Sequence, residues 1–152
     1  MEKAIELKDL RKTSKKELVD FLESIDEKAF RAKQINEWLW KKSARSIDDM
    51  TNLSLKTRDS LKEKYSLFPI STDSQQISND RTIKSAFKLH DAHLIEGVLI
   101  PAKDRMTACV SSQVGCSLSC TFCATGYMDR LRNLDASEIY DQVVAIKNQA
   151  EE

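Results

Sequence analysis

The chain has 152 residues, which allows one domain or two small ones. A hydrophobic content of 41% and a charged content of 32% exclude a disordered chain and are typical of a soluble protein with a buried core. The net charge is zero, but residues 1–68 carry three excess positive charges and residues 69–152 three excess negative ones. That imbalance fits an RNA-facing N-terminal part and, equally well, a solvated helical surface.

The sequence has no signs of a membrane protein or of a secreted one. No apolar run approaches the ~18 residues of a membrane span, and the N-terminus has no signal-peptide core. We therefore expect a cytoplasmic protein with no membrane partner. Clustered cysteines in that compartment are more often metal-binding or catalytic than disulfide-bonded.

The first half predicts helices. Ser14 and Glu17 form a capping-box pattern, and apolar residues then recur at the spacing of one buried helix face: Leu18, Phe21, Leu22 and Ile25. A second helix is predicted over about Lys28–Lys41, with Ile35, Trp38 and Leu39 inward. A short helical turn is predicted over Ser46–Met50, and a third helix over Ser54–Tyr65 with Leu55, Leu61 and Tyr65 inward.

After Pro69 the period changes. The polar stretch Ser71–Ser78 leads into an alternating pattern from Ile83 to Leu89, which predicts a half-buried strand. Leu94–Ile100 predicts another strand, so residues 70–104 are expected to form a small antiparallel β extension. Met106–Val114 predicts one further strand. Asp135 and Glu138 then cap a final helix, with Ile139, Val143 and Ile146 expected to face inward.

All four cysteines lie within Cys109–Cys123, and three of them have the spacing C-x3-C-x2-C: Cys116, Cys120 and Cys123. Thiolates are soft ligands that suit iron–sulfur clusters and zinc. Three thiolates can hold three corners of a [4Fe–4S] cube and leave one iron open to a substrate. Zinc sites also use dense cysteine runs, although most use two separated pairs, and inert thiols are a third reading.

This spacing, with Phe122 before the last cysteine, resembles the signature loop of radical S-adenosylmethionine (SAM) enzymes. The flanking segments Thr107–Cys116, Cys123–Gly126 and Arg132–Leu134 resemble one branch of them closely. That branch is the bacterial dual-specificity adenine-C2 methyltransferase family of 23S rRNA and tRNA, with a C8-methylating relative that confers antibiotic resistance. The resemblance runs from about Phe30 to the C-terminus.

The resemblance implies a set of site residues and cofactors. Cys116, Cys120 and Cys123 would bind a [4Fe–4S] cluster that cleaves SAM to a radical, with Phe122 beside the bound SAM. The methyl group would pass through a methylated cysteine to C2 of the target adenine. Cys109 would be the resolving cysteine, forming a transient disulfide with that methyl-bearing cysteine. The family also implies an external electron donor such as flavodoxin or ferredoxin.

Glu96 stands where the family's pattern places a proton acceptor. An acid in an apolar strand is costly to bury unless it is paired, and burial would raise its pKa toward the range of a base. An exposed Glu96 would lack that physical support. Arg130 and Arg132 are expected either to approach RNA or to cap the cysteine-rich loop.

The expected fold is α+β, in three parts. Residues 1–69 form a helical accessory domain, which the resemblance likens to helix-hairpin-helix RNA-binding modules. Residues 70–104 form the β extension. Residues 105–152 carry a strand, a cofactor loop and a helix, the first unit of a radical SAM β/α barrel. Because 152 residues cannot hold the further repeats, we expect an N-terminal, inactive fragment of a longer methyltransferase.

Three other readings remain open at this point, one of them a helical interaction domain whose cysteines bind nothing. The C8-methylating relative shares the three cluster cysteines, so these do not discriminate between the two activities. A zinc-stabilised RNA-binding module would instead gather Cys109, Cys116, Cys120 and Cys123 into one tetrahedral site.

Overall fold

The structure is a computed structural model, which describes residues 7–151. The chain forms two compact units, and the boundary between them in the sequence falls between Phe68 and Pro69. The N-terminal unit is mainly helical, and the described part of the C-terminal unit combines two sheets with one long helix. Residues 1–6 and 152, at the ends of the first and last predicted parts, lie outside the described residues.

From residue 7 onward, the N-terminal unit contains three α-helices and one short strand pair. Its elements in chain order are β1 (Lys8–Asp9), α1 (Lys15–Ser24), α2 (Arg31–Trp40), α3 (Leu55–Lys64) and β2 (Tyr65–Ser66). β1 and β2 pair in parallel and tie the two ends of the unit together. Turns of 3-10 helix lie at Leu10–Lys12 and Ile47–Asp49, the second where a short helical turn was predicted.

Serine side chains cap these helices. The Ser14 hydroxyl accepts from the Glu17 backbone N–H at 3.2 Å, and the Ser54 hydroxyl accepts from the Thr57 N–H at 3.1 Å. Each occupies an otherwise unpaired amide of a first turn. Ser46 and Asp49 make a full capping box around the second 3-10 turn.

The predicted inward faces of α1 and α2 are confirmed. Leu18, Leu22, Ile35 and Leu39 are buried in one cluster, against which Phe21, Ile25 and Trp38 pack. In α3 the expectation for Leu55 is wrong, because this side chain is 69% exposed. Thr57 takes the inward position instead. It lies four residues before the buried Leu61, whereas Leu55 lies six before it and is therefore rotated by roughly 120°.

The C-terminal unit is built on a four-stranded antiparallel sheet of order β3 (Ser71–Ile77), β4 (Ile83–Lys88), β5 (Leu94–Pro101) and β6 (Met106–Cys109). β3 was not predicted as a strand. All of its side chains are exposed, so it shows no apolar alternation, and it is held by backbone pairing with β4.

The predicted single strand Met106–Val114 is wrong, because the chain leaves the sheet after Cys109. β7 (Gln113–Val114) pairs instead with β8 (Arg132–Asn133), antiparallel and in a separate two-stranded sheet. All strand pairings among the described residues of this unit are antiparallel, and the beginning of a barrel stays a prediction.

The last element, α4 (Ala136–Glu151), packs against β5 and β6. Ile146 is buried among sheet residues and Ile139 packs at the edge of that cluster, as predicted. Val143 is 46% exposed, which corrects the third expected inward position. No helix among residues 7–151 is long and apolar enough to cross a membrane.

Candidate metal centre in the cysteine loop

The three clustered cysteines lie in a loop with a closed neck. We call Gly115–Leu131 the cysteine loop; β7 precedes it and β8 follows it. The Leu131 N–H donates to the Val114 carbonyl at 2.9 Å, and the Cys116 N–H donates to the Met128 carbonyl at 3.1 Å. The neck thus fixes where the loop leaves and re-enters the fold.

Two glycines allow the loop to close tightly. Gly115 has φ +73°, and a Cβ there would lie 2.0 Å from the Asp129 carbonyl oxygen. A Cβ on Gly126 would lie 2.4 Å from the Cys120 carbonyl oxygen. Neither position can accept a side chain without moving backbone, so glycine is required next to the cysteines.

All four cysteines are free thiols, so no disulfide forms among them. Cys116, Cys120 and Cys123 are half-buried, and the Cys123 N–H donates to the Cys120 carbonyl at 3.2 Å. In the part of the chain that the structure describes, no three histidine, cysteine or acidic side chains converge closely enough to hold a metal ion. The donor set, three half-buried thiols in one tight loop, fits an iron–sulfur cluster in its chemistry.

The loop also presents an apolar surface. Phe122, expected beside SAM, is 92% exposed, and Leu118 and Tyr127 are exposed too. The Tyr127 hydroxyl donates to the Thr121 carbonyl at 2.7 Å and so braces the segment around Phe122. An exposed aromatic beside three thiols can pack against a flat organic ligand.

The two predicted catalytic residues share one face of the sheet. Cys109 is exposed on β6 directly opposite Val98, and Glu96 lies two residues before Val98 on β5. Directly paired residues and residues two apart in a strand project to the same side. Glu96 and Cys109 therefore occupy the open face of the same strand pair, whereas Cys109 lies outside the cysteine loop.

Glu96 is not buried, although burial was the physical support for its predicted role as a base. Its side chain is 58% exposed, and its carboxylate accepts an ion pair from Lys84 Nζ at 3.1 Å. Proton acceptance by Glu96 therefore has no support from burial, and its assignment depends on the resemblance and on its place beside Cys109.

An ion network at the end of the loop was missed by the sequence reasoning. Arg132 donates to both carboxylate oxygens of Glu138 at 2.8 Å and to Asp91, in the β4–β5 turn, also at 2.8 Å. Burial raises the pKa of Glu138, but hydrogen bonds from Arg132 and from the Asp135 N–H outweigh it, so the net pKa is lowered. The pKa of Asp91 is likewise lowered, mainly by Arg132, against the effect of burial.

A second missed contact lies at the beginning of the loop. Gln142 of α4 is fully buried, and its amide accepts from the Ser111 N–H at 2.8 Å and donates to the Ser111 carbonyl at 3.0 Å. The Ser111 hydroxyl donates to the Glu96 carbonyl at 2.8 Å. Polar residues spaced four apart on a helix are usually solvent-facing, so nothing in the pattern indicated that Gln142 would be buried.

Comparison with known proteins shows which family the chain resembles. Residues 7–67 match the family model for the ribosomal RNA large subunit methyltransferase N-terminal domain. A probable dual-specificity RNA methyltransferase RlmN of Cytophaga hutchinsonii is 62% identical over 97% of this chain and 40% of its own length. The chain is similar to RlmN proteins over nearly its whole length.

More distant RlmN proteins and one solved structure agree. The dual-specificity RNA methyltransferase RlmN of Desulfotalea psychrophila is 43% identical over 92% of this chain and 39% of its own length. The crystal structure of a radical SAM methyltransferase from Sphaerobacter thermophilus superposes with a TM-score of 0.77 at 38% identity, over 95% of this chain and 42% of that one. The chain therefore spans about two fifths of the length of the relatives that it matches.

Proposed function

We propose that this chain supplies the cluster-binding cysteines and an RNA-contacting helical unit of a radical SAM RNA methyltransferase. The observation that carries the proposal is the closed, glycine-tightened loop with three half-buried free thiols, in a chain that is similar to RlmN proteins. Cys116, Cys120 and Cys123 would hold a [4Fe–4S] cluster. That cluster, when bound, supplies the electron for reductive cleavage of SAM.

The remaining residues would act around the bound substrates. Phe122, exposed at the loop, would pack beside SAM. Cys109 would resolve the covalent RNA adduct by forming a transient disulfide with the methyl-bearing cysteine, which we expect outside these 152 residues. Glu96, on the same sheet face as Cys109, would accept the proton from the adenine, with Lys84 holding its carboxylate.

The proposed substrates are 23S rRNA and tRNA, with C2 of an adenine as the methylated atom. The helical unit carries cations suited to phosphate: Lys28, Arg31, Lys33, Lys41, Lys42 and Arg45. The Lys42 Nζ lies over the Trp38 ring, 4.0 Å from its centre, so this unit presents a cation in contact with an aromatic face. A flavodoxin or ferredoxin would be the electron donor, in the cytoplasm.

The first experiment is anaerobic reconstitution of the purified chain with iron and sulfide, followed by absorbance and EPR with and without SAM. We expect a four-iron signal that is lost in a Cys116/Cys120/Cys123→Ala triple variant, while a Cys109→Ala variant keeps it. A signal that shifts on adding SAM supports an open iron. One zinc per chain with no cluster would instead favour the zinc-stabilised RNA-binding module.

Two finer points have their own tests. C2 and C8 methylation are separated by mass spectrometry of methyladenosine from RNA treated with the full-length enzyme. We further propose that the 152 residues alone do not methylate RNA, because they span about two fifths of their relatives. Methyl transfer by the purified 152-residue chain would refute this.

A further inference from the structure

The face of α4 that packs into the unit is partly polar. Glu138, Gln142 and Ile146 are spaced four apart and form one buried stripe, with exposed fractions of 2%, 0% and 1%. Burying a charge and an amide costs free energy unless each polar atom finds a partner. Apolar residues would fill the same space without that requirement, so the partners of Glu138 and Gln142 show what these residues do.

Gln142 holds the segment that leads into the cysteine loop. Its amide bonds both the N–H and the carbonyl of Ser111, as a neighbouring strand would. Ser111 lies between β6, which ends at Cys109, and β7, which begins at Gln113. The side chain thus replaces the sheet ladder at the point where the chain leaves it.

Glu138 holds the segment that leaves the loop. It accepts two hydrogen bonds from Arg132 of β8 and one from the Asp135 N–H at 2.8 Å. Arg132 in turn binds Asp91, which connects this segment to the β4–β5 turn. A bidentate, charge-assisted pair of this kind fixes direction as well as distance.

We propose that Glu138 and Gln142 are positioning residues that clamp the two segments flanking the cysteine loop onto one helix: Gln142 holds the segment before β7, at Ser111, and Glu138 holds β8, at Arg132. Glu138 and Gln142 are one helical turn apart, so α4 keeps the segment at Ser111 and the strand β8 at a fixed separation. What the clamped loop binds rests on the function proposed above; the clamp itself does not.

The chain offers a matched control on the same helix. Gln149 donates from its amide to the hydroxyl of the buried Ser85 at 3.0 Å, in β4 and away from the loop. Gln142→Leu and Gln149→Leu both remove one amide from the same helix. Only Gln142→Leu removes the hydrogen bonds to Ser111, in the segment that leads into the cysteine loop. Glu138→Gln, which keeps shape and removes charge, is the second test variant and covers the case in which Gln142→Leu fails to fold.

The experiment is amide hydrogen exchange by mass spectrometry on the whole chain, with alkylation rates of Cys116, Cys120 and Cys123 measured against Cys109. In Gln142→Leu and Glu138→Gln we expect exchange across residues 112–134 to rise roughly tenfold, because local opening follows the lost hydrogen bonds, while strands β4 and β5 change little. Alkylation of the three loop cysteines rises with it. In Gln149→Leu the loop stays protected.

Exchange that rises equally over the whole unit, or a loop equally affected in Gln149→Leu, would overturn the clamp and leave a merely stabilising role. Iron content after reconstitution separates this inference from the proposed function. If the unmodified chain binds no iron but the variants open the loop locally, the function fails and the clamp stands. If the unmodified chain and the variants bind iron equally with unchanged exchange, the clamp is wrong.

Discussion

At the scale of single residues, Gly126 is one of two glycines in the cysteine loop at which an added side chain would collide with backbone. An added Cβ there would meet the backbone at Cys120, whereas one on Gly97 would lie 2.8 Å from the Phe87 ring in the core. We expect Gly126→Ala to lower iron loading of the reconstituted chain with little loss of sheet stability. Gly97→Ala should instead cost about 1–3 kcal/mol of unfolding free energy by overpacking and leave loading intact. Equal iron content in Gly126→Ala and the unmodified chain would contradict this.

The ion network around Arg132 predicts a dependence on acid. The pKa values of Glu138 and Asp91 are lowered in the folded chain from their ordinary values of 4.5 and 3.8. Their contribution to stability is therefore complete above these ordinary values and is lost as the pH falls through the lower, folded values. The melting temperature, followed by circular dichroism, should therefore decrease when the pH is lowered below about 4.5.

An Arg132→Met variant tests the origin of that drop. Without the guanidinium, the two carboxylates lose the partner that lowers their pKa values most, so the variant should be less stable near neutral pH and its melting temperature should vary less on acidification. A variant curve parallel to that of the unmodified chain would assign the acid sensitivity to other groups.

At this scale the sequence revealed the thiols and little of what holds them. The C-x3-C-x2-C spacing is visible because cysteine is rare and its spacing is chemical. The burial of Gln142 is not visible, because a buried amide differs from a solvated one only by partners that the fold brings together, here the backbone of Ser111. Glu138 was predicted as a cap, which it is through the Asp135 N–H, but its pairing with Arg132 needed the fold.

At the scale of elements, the helix caps differ in what depends on them. The Ser14 hydroxyl binds the Glu17 amide, whereas the Ser54 hydroxyl binds the Thr57 amide and also lies 2.7 Å from the Thr57 hydroxyl, which donates to Glu27. We expect Ser14→Ala to cost about 1 kcal/mol and Ser54→Ala more, because its loss also loosens a partly buried network. Urea unfolding measures both; a smaller cost for Ser54→Ala would refute the ranking.

Helices followed from the sequence more readily than strands. An amphipathic helix satisfies its own backbone, so its caps and apolar period are local and readable. β3 depends on pairing with β4 and has no buried side chain, so nothing in Ser71–Ile77 distinguished it from a polar loop. The run from Met106 to Val114 was predicted as one strand, but the chain leaves the sheet after Cys109, and the backbone of Ser111 is bound instead by Gln142 of α4.

At the scale of the whole molecule, each unit has its own apolar cluster, and the two clusters share no residue. Both tryptophans, Trp38 and Trp40, lie in the N-terminal unit, so their fluorescence reports on that unit alone. Leu22→Ala should lower the fluorescence-detected midpoint of urea unfolding, because the core cavity reduces the free energy of unfolding by about 2–5 kcal/mol.

Leu99→Ala, in the core of the C-terminal unit, is the matched variant. It should leave the fluorescence midpoint unchanged while raising hydrogen exchange in β4 and β5, since separate cores unfold as separate units. A fluorescence shift in Leu99→Ala as large as that in Leu22→Ala would show that the chain unfolds as one body.

The neck of the cysteine loop has a consequence for how this segment can vary. The Leu131 N–H is hydrogen-bonded to the Val114 carbonyl, so the residues between them form a closed loop. This bond joins backbone atoms and therefore does not depend on the side chains inside the loop. Doubling the length of such a loop costs only about 0.6 kcal/mol in closure entropy. Insertions or exchanges on its apolar rim, around Leu118 and Phe122, would therefore be cheap for the fold. We therefore expect exchanges at these exposed positions to leave the supporting sheet and helix unchanged, provided that Gly115 and Gly126 are kept.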